Sequence, residues 1–204
     1  MLTGREPFYP IFRTFLARIA AGALVLDLGT PEPFREELRP LRGLFAGARY
    51  LAVDYPGPAP LACHVGADLR RLPFRDRVAD GIICKEVLEH VDDPFAAVSE
   101  MARVLRPGGW LFLTVPFLAP YHAAPGYYED YWRFTRAGIA AMLSRFRSVE
   151  IERYGGLPYM LSTAFLPAAV RRALMGWPLA PLFWALDRRW GRTSTIMHMA
   201  LAQK

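Results

Sequence analysis

The sequence predicts a doubly wound α/β sheet, and three observations carry that expectation. Residues 24–29, Leu-Val-Leu-Asp-Leu-Gly, are apolar strand formers that run into an acid and a glycine. A buried parallel strand ends this way where its carboxyl edge faces a ligand. The theme returns at Tyr50-Leu51-Ala52-Val53-Asp54, and again without a terminal acid at Gly81-Ile82-Ile83-Cys84. Between these runs lie helical patterns, and alternating strands and helices fold as a layered, mostly parallel sheet.

Taken in order, residues 7–20 place Phe8, Ile11, Phe12, Phe15, Leu16 and Ile19 at helical spacing. This predicts an amphipathic helix on the sheet edge. Strand 1 is expected at 23–28, a helix at about 34–46 and strand 2 at 49–53. Residues 55–60, Tyr-Pro-Gly-Pro-Ala-Pro, read as a loop. A short strand near 61–65 precedes Asp68, and strand 4 is expected at 79–84. Asp92-Asp93-Pro94 starts a helix, with an acid to cap it and proline at its first position. That helix should run to about Leu105, where Arg106-Pro107-Gly108-Gly109 stops it. Strand 5 follows at 110–115. Thr135 caps a helix over 136–145, strand 6 is near 147–153 and a last strand spans 193–203.

The 204 residues suit one domain, and 53% hydrophobic composition argues against disorder. The net charge is +6, yet lysine occurs only at Lys85 and Lys204, so the positive charge is nearly all arginine. No long basic run is present, which argues against nucleic-acid binding. Two cysteines, Cys63 and Cys84, cannot build a disulfide framework, and both read as buried thiols of a reducing compartment. Without a signal-peptide pattern, the expected location is cytoplasmic, with peripheral membrane contact left open.

In an open α/β sheet the ligand lies beyond the carboxyl ends of the strands. Gly29 would let it approach the backbone. Asp54 could accept both hydroxyls of a ribose, since an ionised carboxylate only accepts. Asp68 could accept from the exocyclic amine of adenine. Taken singly, Asp27 could merely cap a helix and Asp68 merely close a turn. Three acids in order at strand ends point to an adenosine-bearing ligand.

Together these residues resemble a class I S-adenosylmethionine-dependent methyltransferase of the ubiquinone/menaquinone-biosynthesis branch, with a methyltransferase type 11 domain. The likeness rests on Val25-Leu26-Asp27-Leu28-Gly29, Val53-Asp54, Asp68 with Leu72-Pro73-Phe74, Glu86-Val87-Leu88-Glu89-His90-Val91 and Val104-Leu105-Arg106-Pro107-Gly108-Gly109. It covers about residues 22–150. It implies a Rossmann-like, mostly parallel seven-stranded sheet with an antiparallel last strand. The implied division is a helix at 7–20, a cofactor-binding core at 22–153, an apolar helical insertion at 156–190 and the last strand.

By the same resemblance the cofactor is S-adenosylmethionine. Asp27 and Gly29 border its methionine part, Asp54 takes the ribose, and Asp68 with the Leu69 amide takes the adenine. Lys85 and Glu86 line the pocket after strand 4, and Leu28, Thr30 and Tyr55 are neighbouring cofactor contacts. One departure stands out. The family has Asp-x-Gly-x-Gly-x-Gly after strand 1, whereas here Pro31 and Pro33 replace the second and third glycines. Proline removes a donor and fixes φ. A nicotinamide dehydrogenase is disfavoured by the missing Gly-x-Gly-x-x-Gly. A DNA-adenine methylase is disfavoured because Cys84-Lys85-Glu86-Val87 stands where its Pro-Pro-aromatic signature belongs.

Residues 121–135 should lie over the ligand end of the sheet. They are similar to a His-x-x-Pro…aromatic-Arg-Phe/Tyr-Thr stretch in methyltransferases linked to cell-surface glycans. His122 is the expected general base for a hydroxyl acceptor, because a neutral imidazole suits proton removal; otherwise it shapes the loop. His90 could touch substrate or hold its loop. Arg133 could pair with a substrate anion, or with Glu129 or Asp130. Tyr131 could contact substrate, and with Tyr127, Tyr128 and Trp132 could form an aromatic wall or pack a lid. No metal is required, and no metal-ligand cluster is visible in the sequence.

Residues 157–170 and 173–186 are uncharged, separated by Arg171-Arg172. Each is too short to span a bilayer. A lid or homodimer surface, a membrane-interface hairpin and a groove for a lipid-linked substrate all remain open. The expected activity is methyl transfer to a hydroxyl of a small-molecule or lipid-linked acceptor, such as a sugar. The alternatives are quinone or prenyl C- or O-methylation, and a catalytically silent methyltransferase-like binding protein.

Overall fold

The computed structural model describes residues 8–34, 36–57, 62–156 and 195–204, with a few isolated positions between 167 and 186. The expected apolar insertion at 156–190 lies almost entirely outside the described residues.

Strand β1 (Leu24–Leu28) is apolar apart from Asp27 and buried from Val25 through Leu28. Beside it run β2 (Arg49–Asp54) and β4 (Ala79–Lys85), both parallel to it. The short β3 (Val65–Gly66) pairs with β2, and β5 (Leu105–Pro116) pairs with β4. Strands β6 (Ser148–Tyr154) and β7 (Met197–Gln203) complete the sheet. Among the described residues the strand order is β3-β2-β1-β4-β5-β7-β6, with β7 antiparallel to both its neighbours. The expected mostly parallel seven-stranded sheet with an antiparallel last strand is thus present.

The chain turns outward from β1 in one direction through β2 and β3, then resumes from β4 in the other. The switch point, where such sheets bind ligands, therefore lies between the ends of β1 and β4. Register sets its level. Leu28 pairs with both Val53 and Cys84, so Gly29, Asp54 and Lys85 emerge side by side.

Two apolar clusters cover the two faces of the sheet. One includes α2 (Pro94–Val104) and α3 (Arg136–Met142). Asp93 caps α2 by accepting from the Ala96 N–H, with Pro94 at the first helical position. Thr135 caps α3 by accepting from the Gly138 N–H. Arg103 of α2 pairs with Glu100 and Asp76 and donates to the Phe74 and Leu72 carbonyls. These bonds fasten the loop that follows Asp68.

On the opposite face lies α1 (Phe8–Ala17). It packs on the middle of the sheet rather than on its edge as expected. Phe12 and Phe15 are fully buried, and the Phe12 ring meets Phe112 of β5 edge-on at 4.9 Å. Burying two aromatic rings needs a broad apolar surface, which an edge strand does not offer.

Other boundaries shift for local reasons. The helix expected at 34–46 is a 3₁₀ helix over Glu36–Phe45 with Pro40 inside it, where a missing N–H interrupts α-type bonding. The strand near 61–65 shrinks to Val65–Gly66, and the last strand begins at Met197. Helix α3 ends at Met142 rather than 145. Strand β5 begins at Leu105 instead of 110. Leu105 pairs with Ala79 while Trp110 pairs with Gly81, so Arg106–Gly109 bulge out of the ladder. Cys84 is buried as expected, but Cys63 is partly exposed.

Candidate functional site

A cavity of about 660 Å³ opens at the switch point, a size that suits a small-molecule ligand. Thirteen of the fourteen site residues expected from the sequence line it; Arg133 does not.

Asp27, near the end of β1, is buried and accepts a hydrogen bond from the Tyr50 hydroxyl. Burial pushes its carboxyl up to about 7 despite that bond and the nearby Lys85 cation. Gly29 follows at φ +76°, a conformation that favours glycine, and a Cβ there would meet Val87 at 2.2 Å. The N–H groups of Gly29 and Thr30 both donate to the Val53 carbonyl, and the Thr30 hydroxyl donates to the Glu32 carbonyl. With Pro31 next, the loop after β1 turns its amides back onto β2. This differs from a glycine-rich loop, whose amides are free to face a ligand.

Asp54, at the end of β2, is buried. Its Oδ1 accepts from the Tyr55 N–H at 2.8 Å and its Oδ2 from the Tyr127 hydroxyl at 2.7 Å. Asp68 accepts from the Arg70 backbone N–H and guanidinium, and that pairing holds its carboxyl below the ordinary range. Arg70 also grips Asp92 at 2.6 Å, tying the loop after β3 to the start of α2. After β4, Glu86 adopts φ +53°, rare for a residue with a side chain, and donates its N–H to Thr114. Lys85 lies 3.7 Å from the Glu86 carboxylate.

The far wall comes from the loop after β5. Its anchor is Glu89, whose backbone carbonyl accepts from the Tyr131 and Trp132 N–H groups. Arg133 pairs with Asp130 and donates to the carbonyls of Ala119, Pro120 and Trp132. Of the two roles expected for Arg133, substrate anion or loop acid, the pairing with Asp130 is the one present, and it pins the loop. Asp130 is held well below the ordinary carboxylate range by that guanidinium. His122 lines the cavity, with its N–H bonded to Asp130 Oδ2. The Nδ1 of His122 lies 3.0 Å from the Pro120 carbonyl, and that of His90 lies 2.6 Å from the Glu129 carbonyl. A carbonyl only accepts, so each Nδ1 carries the hydrogen and each neutral ring keeps its lone pair on Nε2.

Both Nε2 atoms face one oxygen of the Glu89 side chain at 3.9 Å. Glu89 is 0% exposed, neither carboxylate oxygen has a hydrogen-bond partner among the described residues, and burial pushes its carboxyl up to about 8. The ligand atoms of Glu89, His90 and His122 lie within 4.8 Å of one another. Two imidazoles and a carboxylate are a donor set that can hold a transition metal. The expectation of no metal-ligand cluster is therefore corrected. Adjacent Glu89 and His90 were visible in the sequence, but His122 joins them only through the fold. Arg70 was missed as well, and its place two residues after Asp68 was the available signal.

The family described as Methyltransferase domain matches residues 39–113. A ubiquinone biosynthesis O-methyltransferase of Thiobacillus denitrificans is 31% identical over 93 residues, covering 39% of this chain and 40% of that protein. A demethylmenaquinone methyltransferase of Mycobacterium marinum is 39% identical over 102 residues, covering 46% and 42%. The chain thus spans about two-fifths of the length of these relatives. Among solved structures, a SAM-dependent methyltransferase from Archaeoglobus fulgidus superposes with a TM-score of 0.62 at 16% identity, over 96% of this chain and 92% of that one. A Haemonchus contortus phosphoethanolamine N-methyltransferase 2 in complex with S-adenosyl-L-methionine gives 0.63 at 16% identity, over 96% and 51%. The family match and the two relatives bear out the resemblance read from the motifs, and the solved structures bear out the fold.

Proposed function

We propose that this chain is an S-adenosylmethionine-dependent methyltransferase of the ubiquinone/menaquinone-biosynthesis type, acting on a hydroxyl of a small-molecule or lipid-linked acceptor. The observation that carries the proposal is the pair Asp27 and Asp54. They lie near the carboxyl ends of adjacent parallel strands, Asp27 level with Ala52 and Asp54 two positions further on, and both line a cavity large enough for a nucleoside and an acceptor.

The donor chemistry fits the cofactor. Asp54 offers a buried carboxylate to the ribose hydroxyls. Asp27, once ionised, offers one to the α-ammonium, and Lys85 sits beside it as a cation for the carboxylate. Asp68 contributes less than the resemblance implied, because Arg70 already takes most of its lone pairs. The Leu69 backbone remains beside the adenine position. When bound, the cofactor supplies an activated methyl on a sulfonium, so the chain's main task is alignment.

At the acceptor end His122 presents the Nε2 lone pair and takes the proton of the acceptor hydroxyl as the new O–C bond forms. Its Nδ1–H stays on the Pro120 carbonyl, which fixes the ring's orientation. Tyr128 and Tyr131 line the same wall and offer flat, partly exposed rings to a cyclic acceptor. Sugars and quinols both meet that description, and the uncharged stretches 157–170 and 173–186 keep lipid-linked acceptors in the class. One finding favours a second reading, a binding protein without turnover: the loop after β1 spends its amides on Val53.

Calorimetric titration with S-adenosylmethionine and S-adenosylhomocysteine tests the proposal. Micromolar binding, weakened by about 1.5–3 kcal/mol in Asp54→Ala, is the expected result. A folded protein that binds neither ligand would refute it.

A further inference from the structure

We infer that Tyr127 is a gate: its hydroxyl holds the Asp54 carboxylate in the free protein and must yield it to the ribose of the incoming cofactor. This rests on the cofactor site proposed above and adds a conformational step to it.

Both oxygens of Asp54 are already engaged, each by one donor. The Tyr55 N–H occupies Oδ1 and the Tyr127 hydroxyl occupies Oδ2 at 2.7 Å. The phenol is thus an alcohol-like donor already seated where a ribose hydroxyl would donate. The ring itself fills space beside the carboxylate. It lies so close over Gly57 that a Cβ there would meet it at 2.4 Å. A ribose placed on Asp54 takes the same ground, so phenol and ribose exclude each other.

Tyr127 also connects to the opposite wall. It belongs to a tight turn in which the Tyr127 and Tyr128 N–H groups donate to Ala124, around Gly126 at φ +78°. Its ring meets Tyr128 at 5.1 Å, Tyr128 meets His90 at 4.3 Å, and His90 meets His122 at 4.9 Å. A continuous row of rings thus joins the Asp54 carboxylate to the proposed base. Release of Tyr127 moves one end of that row, so cofactor occupancy resets the acceptor side. A packed row of side chains can carry such coupling when it has two arrangements.

The test is calorimetric titration of the full chain and its Tyr127→Phe variant with S-adenosylhomocysteine, with hydrogen exchange followed at residues 121–131. The variant keeps the ring and loses only the hydroxyl. Its affinity should be about tenfold tighter, since no charge-assisted hydrogen bond has to break. In the wild type, ligand should speed exchange at 121–131. Wild-type binding with equal affinity in the variant overturns the gate and leaves the cofactor site standing. Weaker binding by the variant also overturns it, because Tyr127 then contacts the cofactor directly. If neither protein binds, the cofactor site falls and the gate falls with it.

Discussion

Glu89→Gln should make the protein more stable, and increasingly so as the pH rises. The Glu89 side chain is 0% exposed and has no hydrogen-bond partner for either oxygen among the described residues. Burial raises its carboxyl from an ordinary 4.5 to about 8. At about 1.4 kcal/mol for each pKa unit, the ionised form costs the fold roughly 4–5 kcal/mol more than the neutral acid. In the unfolded chain Glu89 ionises at its ordinary value. Between about pH 4.5 and 8 the folded chain therefore holds a proton that the unfolded chain lacks. Stability falls with rising pH across that window and levels off above it. Glutamine matches the shape and carries no such proton. The gap in unfolding free energy between variant and wild type should widen from pH 5.5 to pH 8.5, with 4–5 kcal/mol as its ceiling. Asp27, raised to about 7, titrates in both proteins and cancels. Urea unfolding at pH 5.5, 7.0 and 8.5 measures the gap. Parallel pH profiles would refute the reasoning, because they would mean that Glu89 ionises in the fold at no cost.

Asp27 should make cofactor binding pH-dependent. At pH 6 a carboxyl raised to about 7 is mostly protonated and offers an ammonium no opposite charge, so affinity for S-adenosylhomocysteine should rise about tenfold by pH 8. A flat calorimetric profile would remove Asp27 from the cofactor. His122→Ala should lower turnover by about 10²–10⁴ while leaving cofactor affinity within about twofold. A fully active variant would assign His122 to loop structure alone.

Much of the fold was legible because its signals are local. A strand buried on both faces is mostly apolar, so β1, β2 and β4 stood out at nearly their observed bounds. Asp93-Pro94 and Thr135 announced α2 and α3 because capping is chemistry between near neighbours. Elements governed by distant partners were misjudged. Helix α1 has the same amphipathic pattern on a face as on an edge, and only Phe112 of β5 decides between them. The length of β5 was hidden because pairing of Leu105 with Ala79 is a property of β4. Arg133 shows the same limit within the site: Asp130 was named among its candidate partners, but the carbonyls that consume its remaining donors come from the loop's path.

The sequence by itself determined the layered α/β sheet and the acids at its strand ends, because apolar runs and terminal carboxylates keep their meaning wherever the chain goes. Only the tertiary structure decided what those acids face. Asp54 meets Tyr127 across 73 positions of sequence, and Asp68 is claimed by Arg70. Glu89 and His90 meet His122 because the loop after β5 folds back over the switch point. Charge, burial and hydrogen bonding between such groups depend on distances of a few ångströms. Those distances are set by the packing of the whole sheet and not by the spacing of residues along the chain.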